Sequence, residues 1–262
     1  MADSTLSLAK ADYEVEVADF MGWGRDSADW SADDAARIRR DVGSGLRRFY
    51  YCTPPHDWTF LRPFKELTLA SGDSTILLPE DCGGVEGKVY IVSTSGSYRP
   101  LQIQDPGVVQ GMYAASPSQT GQPAVVSLRP VRVMPADRNQ QFEMYVFPAA
   151  DAAYTLAVQY YITPGYLLDP GMPYAYGGPE HSETILLSCL AVAEERRDNI
   201  PMGQGPNSIA FRSQLMASIA IDRRKRPQKM VMNNDHSDSL ETVLWGRSLN
   251  YPAVTYNGVE YN

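Results

Sequence analysis

Apolar residues recur through the first fifty positions at helical spacing. Leu6, Ala9, Tyr13, Val17 and Phe20 are separated by 3, 4, 4 and 3 residues, which places them on one face of a helix that stops at Gly22. After a loop over 22–30, Ser31-Ala32-Asp33-Asp34 has the spacing of a capping box, with Ser31 as N-cap. Ala35, Ile38, Val42, Leu46 and Phe49 repeat the helical stripe. Gly43 and Gly45 interrupt that second helix at a cost of about 1 kcal/mol each, which predicts another backbone passing close to it there. Pro54 and Pro55 end it, because the residue before a proline avoids helical angles.

From about residue 58 to 162 the period changes. Short alternating or continuous apolar runs lie over 66–69, 75–78, 88–93, 100–104, 108–113, 124–133, 142–147 and 154–162. Asp81-Cys82-Gly83-Gly84, Asp105-Pro106-Gly107 and Pro148-Ala149-Ala150-Asp151 punctuate them as turns. The even spacing predicts an antiparallel sandwich or small barrel. Beyond a connector rich in proline, glycine and tyrosine over 164–178, the helical period returns. Pro179 suits a first helical position, and Ile185, Leu186, Cys189, Val192 and Ala193 form that helix's apolar face. After a loop over 199–205, Pro206 opens a further helix, faced by Phe211, Leu215 and Ile219 and closed by Pro227.

The pattern reads as an α+β chain. Each helix needs a partner for its apolar face, so helices from both chain ends are expected to form one four-helix bundle. An antiparallel β sandwich or barrel is inserted into it, and an extended arm follows. The expected divisions are 1–56 for the first half of the bundle, 57–165 for the β domain, 166–227 for the second half of the bundle and 228–262 for the C-terminal arm.

Composition narrows the partners. Hydrophobic residues are 44% and charged residues 21% of 262, a globular balance. The net charge of −8 argues against nucleic acid as the main ligand, though not against a pore past which DNA slides. No run of 18 apolar residues offers a membrane span, and Met1-Ala2-Asp3-Ser4 does not begin a secretory signal. Cys52, Cys82 and Cys189 are odd in number and widely spaced, as expected for free thiols in a reducing cytoplasm.

Catalytic motifs are missing from the sequence. It has no Gly-x-Ser-x-Gly elbow, no phosphate loop and no His-Glu-x-x-His. Gly22-Trp23-Gly24 and Gly203-Gln204-Gly205 lack the third glycine and preceding strand of a dinucleotide fingerprint. His56 has Asp57 beside it, but no nucleophile or metal ligand is spaced with them, so a polar turn is expected. His181 falls between Glu180 and Glu183 in a helical first turn, where acids complement the dipole. Cys189 belongs to an apolar face, and the acids before Cys82 disfavour its thiolate. No catalytic, cofactor-binding or metal-ligating residue is expected, and the chain reads as a non-enzyme.

Three features point to interaction instead. Arg223, Arg224, Lys225 and Arg226 form a basic patch, which either complements a helix dipole or faces an acidic partner. Sixteen tyrosines against seven phenylalanines favour polar-tipped aromatic surface. In the arm, Asn257-Gly258 predicts a hairpin pairing Tyr256 with Val259, Thr255 with Glu260 and Val254 with Tyr261. Val254, Tyr256, Val259 and Tyr261 then share an apolar face that needs a partner, with Leu244, Trp245 and Tyr251 as anchors upstream.

The order of several motifs adds a family. Gly22-Trp23-Gly24-Arg25 through Trp30-Ser31, then Ser44-Gly45-Leu46-Arg47-Arg48-Phe49-Tyr50-Tyr51, then Pro55-His56-Asp57-Trp58-Thr59-Phe60-Leu61-Arg62-Pro63 resemble consecutive segments of the head-to-tail adaptor (connector or neck) proteins of tailed bacteriophages. Leu78-Pro79-Glu80-Asp81-Cys82-Gly83-Gly84, the stretch from Phe147-Pro148 to Thr155-Leu156, and Pro179-Glu180-His181-Ser182-Glu183 are similar to later segments. The likeness runs over most of 6–225 and departs at Cys82, where that family carries an aromatic.

The resemblance implies a structural virion protein. It would form a ring, usually of twelve copies, beneath the portal, joining the capsid vertex to the tail and continuing the DNA channel. The helical part would lie near the portal and the β part toward the tail. Implied partners are further copies of itself, the portal protein and a tail-side stopper, terminator or nozzle protein, with DNA only in transit and no membrane. The place implied is the virion neck, after synthesis in the host cytoplasm. Leu244, Trp245, Tyr251 and the hairpin face then become the expected portal-docking residues. The alternative is a receptor- or glycan-binding tail component carrying a β domain. A third reading, a hydrolase built on Cys52 and His56, lacks a complete constellation.

Overall fold

Ser31 behaves as its spacing predicts: its Oγ accepts the Asp34 N–H at 3.2 Å and starts α2 (Ala32–Tyr50). The computed structural model describes residues 6–92, 98–131, 140–167, 171–225, 254–256 and 259–261. The first helix, α1 (Lys10–Met21), starts later than its apolar stripe, where the Asp12 carboxylate accepts the Ala9 N–H at 2.7 Å. Gly22, with φ of 83°, closes it: the Gly22 and Trp23 N–H groups donate to the Asp19 and Ala18 carbonyls at 3.0 Å each.

Among the described residues between 59 and 162 lie a 3-10 turn (Thr59–Leu61), ten strands and one helix. One four-stranded antiparallel sheet has the order β1 (Phe64–Leu69), β10 (Tyr154–Ile162), β3 (Cys82–Val92), β4 (Tyr98–Pro100). A second has the order β2 (Thr75–Leu77), β8 (Phe142–Phe147), β7 (Val125–Pro130), β5 (Gln102–Ile103). It is mixed rather than purely antiparallel, since β5 runs parallel to β7; so does β6 (Thr120–Gly121) to β9 (Ala149–Ala150).

The run over 108–113, read above as a strand, is helical. It belongs to α3 (Pro106–Ala115). The Asp105 carboxylate accepts the Gly107 N–H at 2.8 Å and Pro106 takes the first helical turn, so Asp105-Pro106 is a cap rather than a turn. Val109 is buried, and the Tyr113 hydroxyl donates to the Val146 carbonyl at 2.7 Å, fastening α3 to β8.

The later helices are α4 (Pro179–Arg197) and α5 (Pro206–Lys225), both opening at the expected prolines. Helices α1, α2 and α5 all pack against α4. A Cβ on Gly45 would lie 2.6 Å from the Cys189 Cα, so α2 and α4 cross with backbones in contact, as the glycine predicts. Gly43 differs: its neighbour is the Tyr166 ring, a side chain and not a backbone. One apolar core runs from Tyr13, Phe49 and Ile185 through Trp58 to Leu156 and Val158, so helices and sheets share it. Trp58 anchors the junction, stacked on Phe49 at 4.6 Å and donating from Nε1 to the Tyr50 carbonyl at 3.2 Å.

Residues 1–225 form one compact unit and 226–262 a second. In the second, β11 (Val254–Tyr256) pairs with β12 (Val259–Tyr261) in the register that Asn257-Gly258 predicts, Val254 opposite Tyr261 and Tyr256 opposite Val259. Among the described residues, no helix is long and apolar enough to cross a membrane.

Candidate interaction surface

Helix α5 is set in place from its N-terminus. The Glu194 carboxylate, on the last turn of α4, accepts the Asn207 N–H at 3.0 Å and so caps its neighbour. Glu195 beside it accepts from the Gly203 N–H at 3.1 Å, the Ser208 hydroxyl at 2.8 Å and both Arg48 amino groups at 3.0 and 2.6 Å. Burial alone would raise the Glu195 carboxyl, but the bonds from Arg48, Ser208 and Gly203 outweigh it and hold the group below the usual range.

Phe211, Leu215 and Ile219 point inward from α5, and the Ser218 hydroxyl meets that of Thr184 on α4 at 2.7 Å. The outward side is unusual. Ile209 is 59% and Met216 56% exposed two turns apart, and Met202 in the preceding loop is 72% exposed. Ala210, Ser213, Ala217 and Ala220 fill the exposed surface around them, and Arg212 is the sole charge from 206 to 221. A solvated helix face is normally charged; this one has the composition of a packed face.

Next to it, a cleft of about 630 Å³ opens between α2 and α5, lined by Arg47, Arg48, Arg212, Tyr51, Met202 and Phe211. A smaller notch of about 220 Å³ holds Arg37, Arg40, Asp41 and Arg196. Arg196 donates to Asp41 and, at 2.9 Å, to the Ser44 hydroxyl. The helices thus carry a band of guanidinium groups on a chain whose net charge is −8.

A second cleft, of about 600 Å³, lies where α2 meets the sheet, and Cys52, His56, Asp57 and Tyr161 line it. His56 is not paired with Asp57, which bonds Arg62 at 3.1 Å. His56 Nε2 instead lies 2.9 Å from the Asp222 carboxylate of α5. Asp222 is fully buried and also accepts the Thr59 N–H at 3.2 Å and its hydroxyl at 2.5 Å. Sequence reasoning missed this residue. Its one local signal was an acid in a helical last turn, where the dipole disfavours it.

Cys52, His56 and Asp222 are the residue types of a nucleophile, base and orienting acid. The thiol, however, donates to the Pro54 carbonyl at 3.3 Å, and burial pushes its pKa up, the reverse of activation. His181 is buried against Phe49, Trp58 and Phe60, with neither ring nitrogen hydrogen-bonded. Burial first, then Lys225, pushes its pKa down, so it is neutral at pH 7.

Of the expected basic patch, Arg223, Arg224 and Lys225 are exposed on the last turn of α5, and Lys225 is paired with Glu180. Arg226, Leu244, Trp245 and Tyr251 lie outside the described residues. Val254, Tyr256, Val259 and Tyr261 are described as hairpin backbone only. Among the described residues, no group of three or more His, Cys, Asp or Glu is arranged to hold a metal ion. Compared with known proteins, the chain matches no family model and no curated sequence.

Proposed function

We propose that this chain is a structural subunit of a head-to-tail adaptor, a ring beneath the portal of a tailed bacteriophage. The observation that carries the reading is the layout. Helices before and after the β portion pack on one central helix, α4, and one of them, α5, shows Ile209 and Met216 exposed among the described residues on a side whose single charge is Arg212. In this reading α1, α2, α4 and α5 are one bundle, the β portion is its insertion, and the residues after α5 are an arm that seats on the portal. Such a subunit works by contact, so an exposed apolar helix face beside a guanidinium band is what it needs. Ring copies, portal and a tail-side protein are the partners, and DNA only passes through the lumen.

Light scattering and negative-stain images of the purified full chain test this. A closed ring of about twelve subunits that attaches to portal particles is expected. A species of one or three subunits that binds glycan and ignores the portal would replace it with the receptor-binding alternative.

A further inference from the structure

Helices α1 and α5 lie on opposite sides of α4. The Ser182 hydroxyl of α4 accepts the N–H of Leu8, which leads into α1, at 3.4 Å, whereas Thr184 meets Ser218 of α5 at 2.7 Å. Two residues along a helix turn the direction by about 200°, so the two contacts leave α4 on nearly opposed sides.

The two flanks carry opposite charge. Residues 10–34, covering α1 and the loop after it, hold eight acids and two bases, and Arg37, Arg39 and Arg197 of neighbouring helices lie against Trp23, Glu14 and Phe20, so acids still outnumber bases there by eight to five. Arg25 answers only Glu16 and, at 3.3 Å, Asp19; Asp12, Asp29 and Asp33 are exposed. On the other flank, α5 holds four bases and one acid, and that acid is the buried Asp222. Arg47 of α2 is exposed beside it. Each flank also shows apolar surface. Ile209 and Met216 stand out from α5, and Leu6 and Tyr174 from the α1 side, where Lys10 N–H donates to the Pro173 carbonyl at 2.7 Å.

We infer that the α5 flank of one copy docks on the α1 flank of a second copy, Ile209 and Met216 supplying the apolar contact and the arginines meeting the acids of residues 10–34. This rests on the ring reading and specifies its contact. Two different, mutually complementary patches on opposite sides of one subunit make a heterologous interface, the kind that closes rings; one self-complementary patch would make a dimer. Opposite charge fixes which flank meets which and speeds the encounter, while the apolar side chains supply affinity. Both patches are exposed, so exchanging their charges leaves the subunit core untouched.

The experiment uses the full chain, with native mass read by light scattering and helix content by circular dichroism. Arg47→Glu with Arg212→Glu reverses one flank, and Asp19→Lys with Asp29→Lys the other. Each pair alone should lower the assembled fraction at least tenfold with helix content kept. All four changes in one chain restore complementarity and should bring assembly back to within about threefold of the unaltered protein. Met216→Glu, a single exposed change, should also disperse the assembly, and raised salt should weaken it because opposite charges are screened beyond about 8 Å at 0.15 M. If the unaltered chain forms rings and each reversed pair assembles equally well, or the four changes together fail to restore it, the α1–α5 contact is wrong and the adaptor reading stands. If the unaltered chain remains a single subunit at every concentration, both fail.

Discussion

Helices α4 and α5 have 19 and 20 residues, both begin at proline, and they pack side by side, yet they do opposite work. Helix α4 is covered on nearly every side and buries polar residues to achieve it. Ser188 donates to the Gly45 carbonyl at 2.8 Å, and Thr184 binds Ser218. Helix α5 is covered on one side and shows Ile209 and Met216 on the other. The difference separates two uses of an apolar residue. On α4 it is fixed by neighbours within the chain; on the outer side of α5, among the described residues, it stands exposed.

The sharpest way to break the contrast is at Asp222, where α5 is bound into the chain. Asp222→Ala leaves His56 and the Thr59 N–H without their acceptor in a buried place. Unfolding in urea should show a loss of about 3–5 kcal/mol. A loss below 1 kcal/mol would mean that α5 is held without the Asp222 bonds, by its apolar side and its contacts with α4. Next comes Gly45→Ala, which drives a methyl into the α4 backbone and should cost about 2 kcal/mol in the same measurement. Gly43→Ala meets only the Tyr166 ring, which can swing aside, and should cost less.

A smaller effect distinguishes the base of α4. His181 has its pKa lowered by burial, so the folded protein resists its protonation while the unfolded chain does not. Its contribution is therefore intact above about pH 6.5 and is lost as pH falls from there toward the lower folded value, at no more than about 1.4 kcal/mol per pH unit. His181→Phe keeps the aromatic packing and removes the titration. Its stability relative to the unaltered chain should rise below pH 6.5 and be level above it, as read from melts at stepped pH. The smallest effect belongs to Arg223→Ala and Arg224→Ala, exposed on the last turn of α5, which should move stability by no more than about 0.5 kcal/mol.

Much of the fold was legible because its signals are local. Ser31, Pro179 and Pro206 mark helix starts through chemistry confined to one turn, and the Asn257-Gly258 register follows from turn geometry alone. Helix α3 was misread for the same reason. Val108 to Tyr113 is apolar enough for either element, and Asp105-Pro106 suits a turn as well as a cap. The His56–Asp222 bond joins residues 166 apart, and no period or spacing encodes such a pairing. The outer side of α5 was in plain view, since Ile209 and Met216 are seven apart, but looking for the stripe that faces a core leads to Phe211, Leu215 and Ile219 and stops there.

Glu194 and Glu195, the acids that close α4, serve the start of α5 and the end of α2 at once. Placed at a C-terminus they oppose their own helix dipole, so their value lies in what they join. Mechanically they are a knuckle. A sideways load on the outside of α5 passes through its capped first turn to Glu194, and through Glu195 into Arg48 near the end of α2, with rigid hydrogen bonds and no flexible tether in the path. Three helix ends are therefore joined at one point by hydrogen bonds.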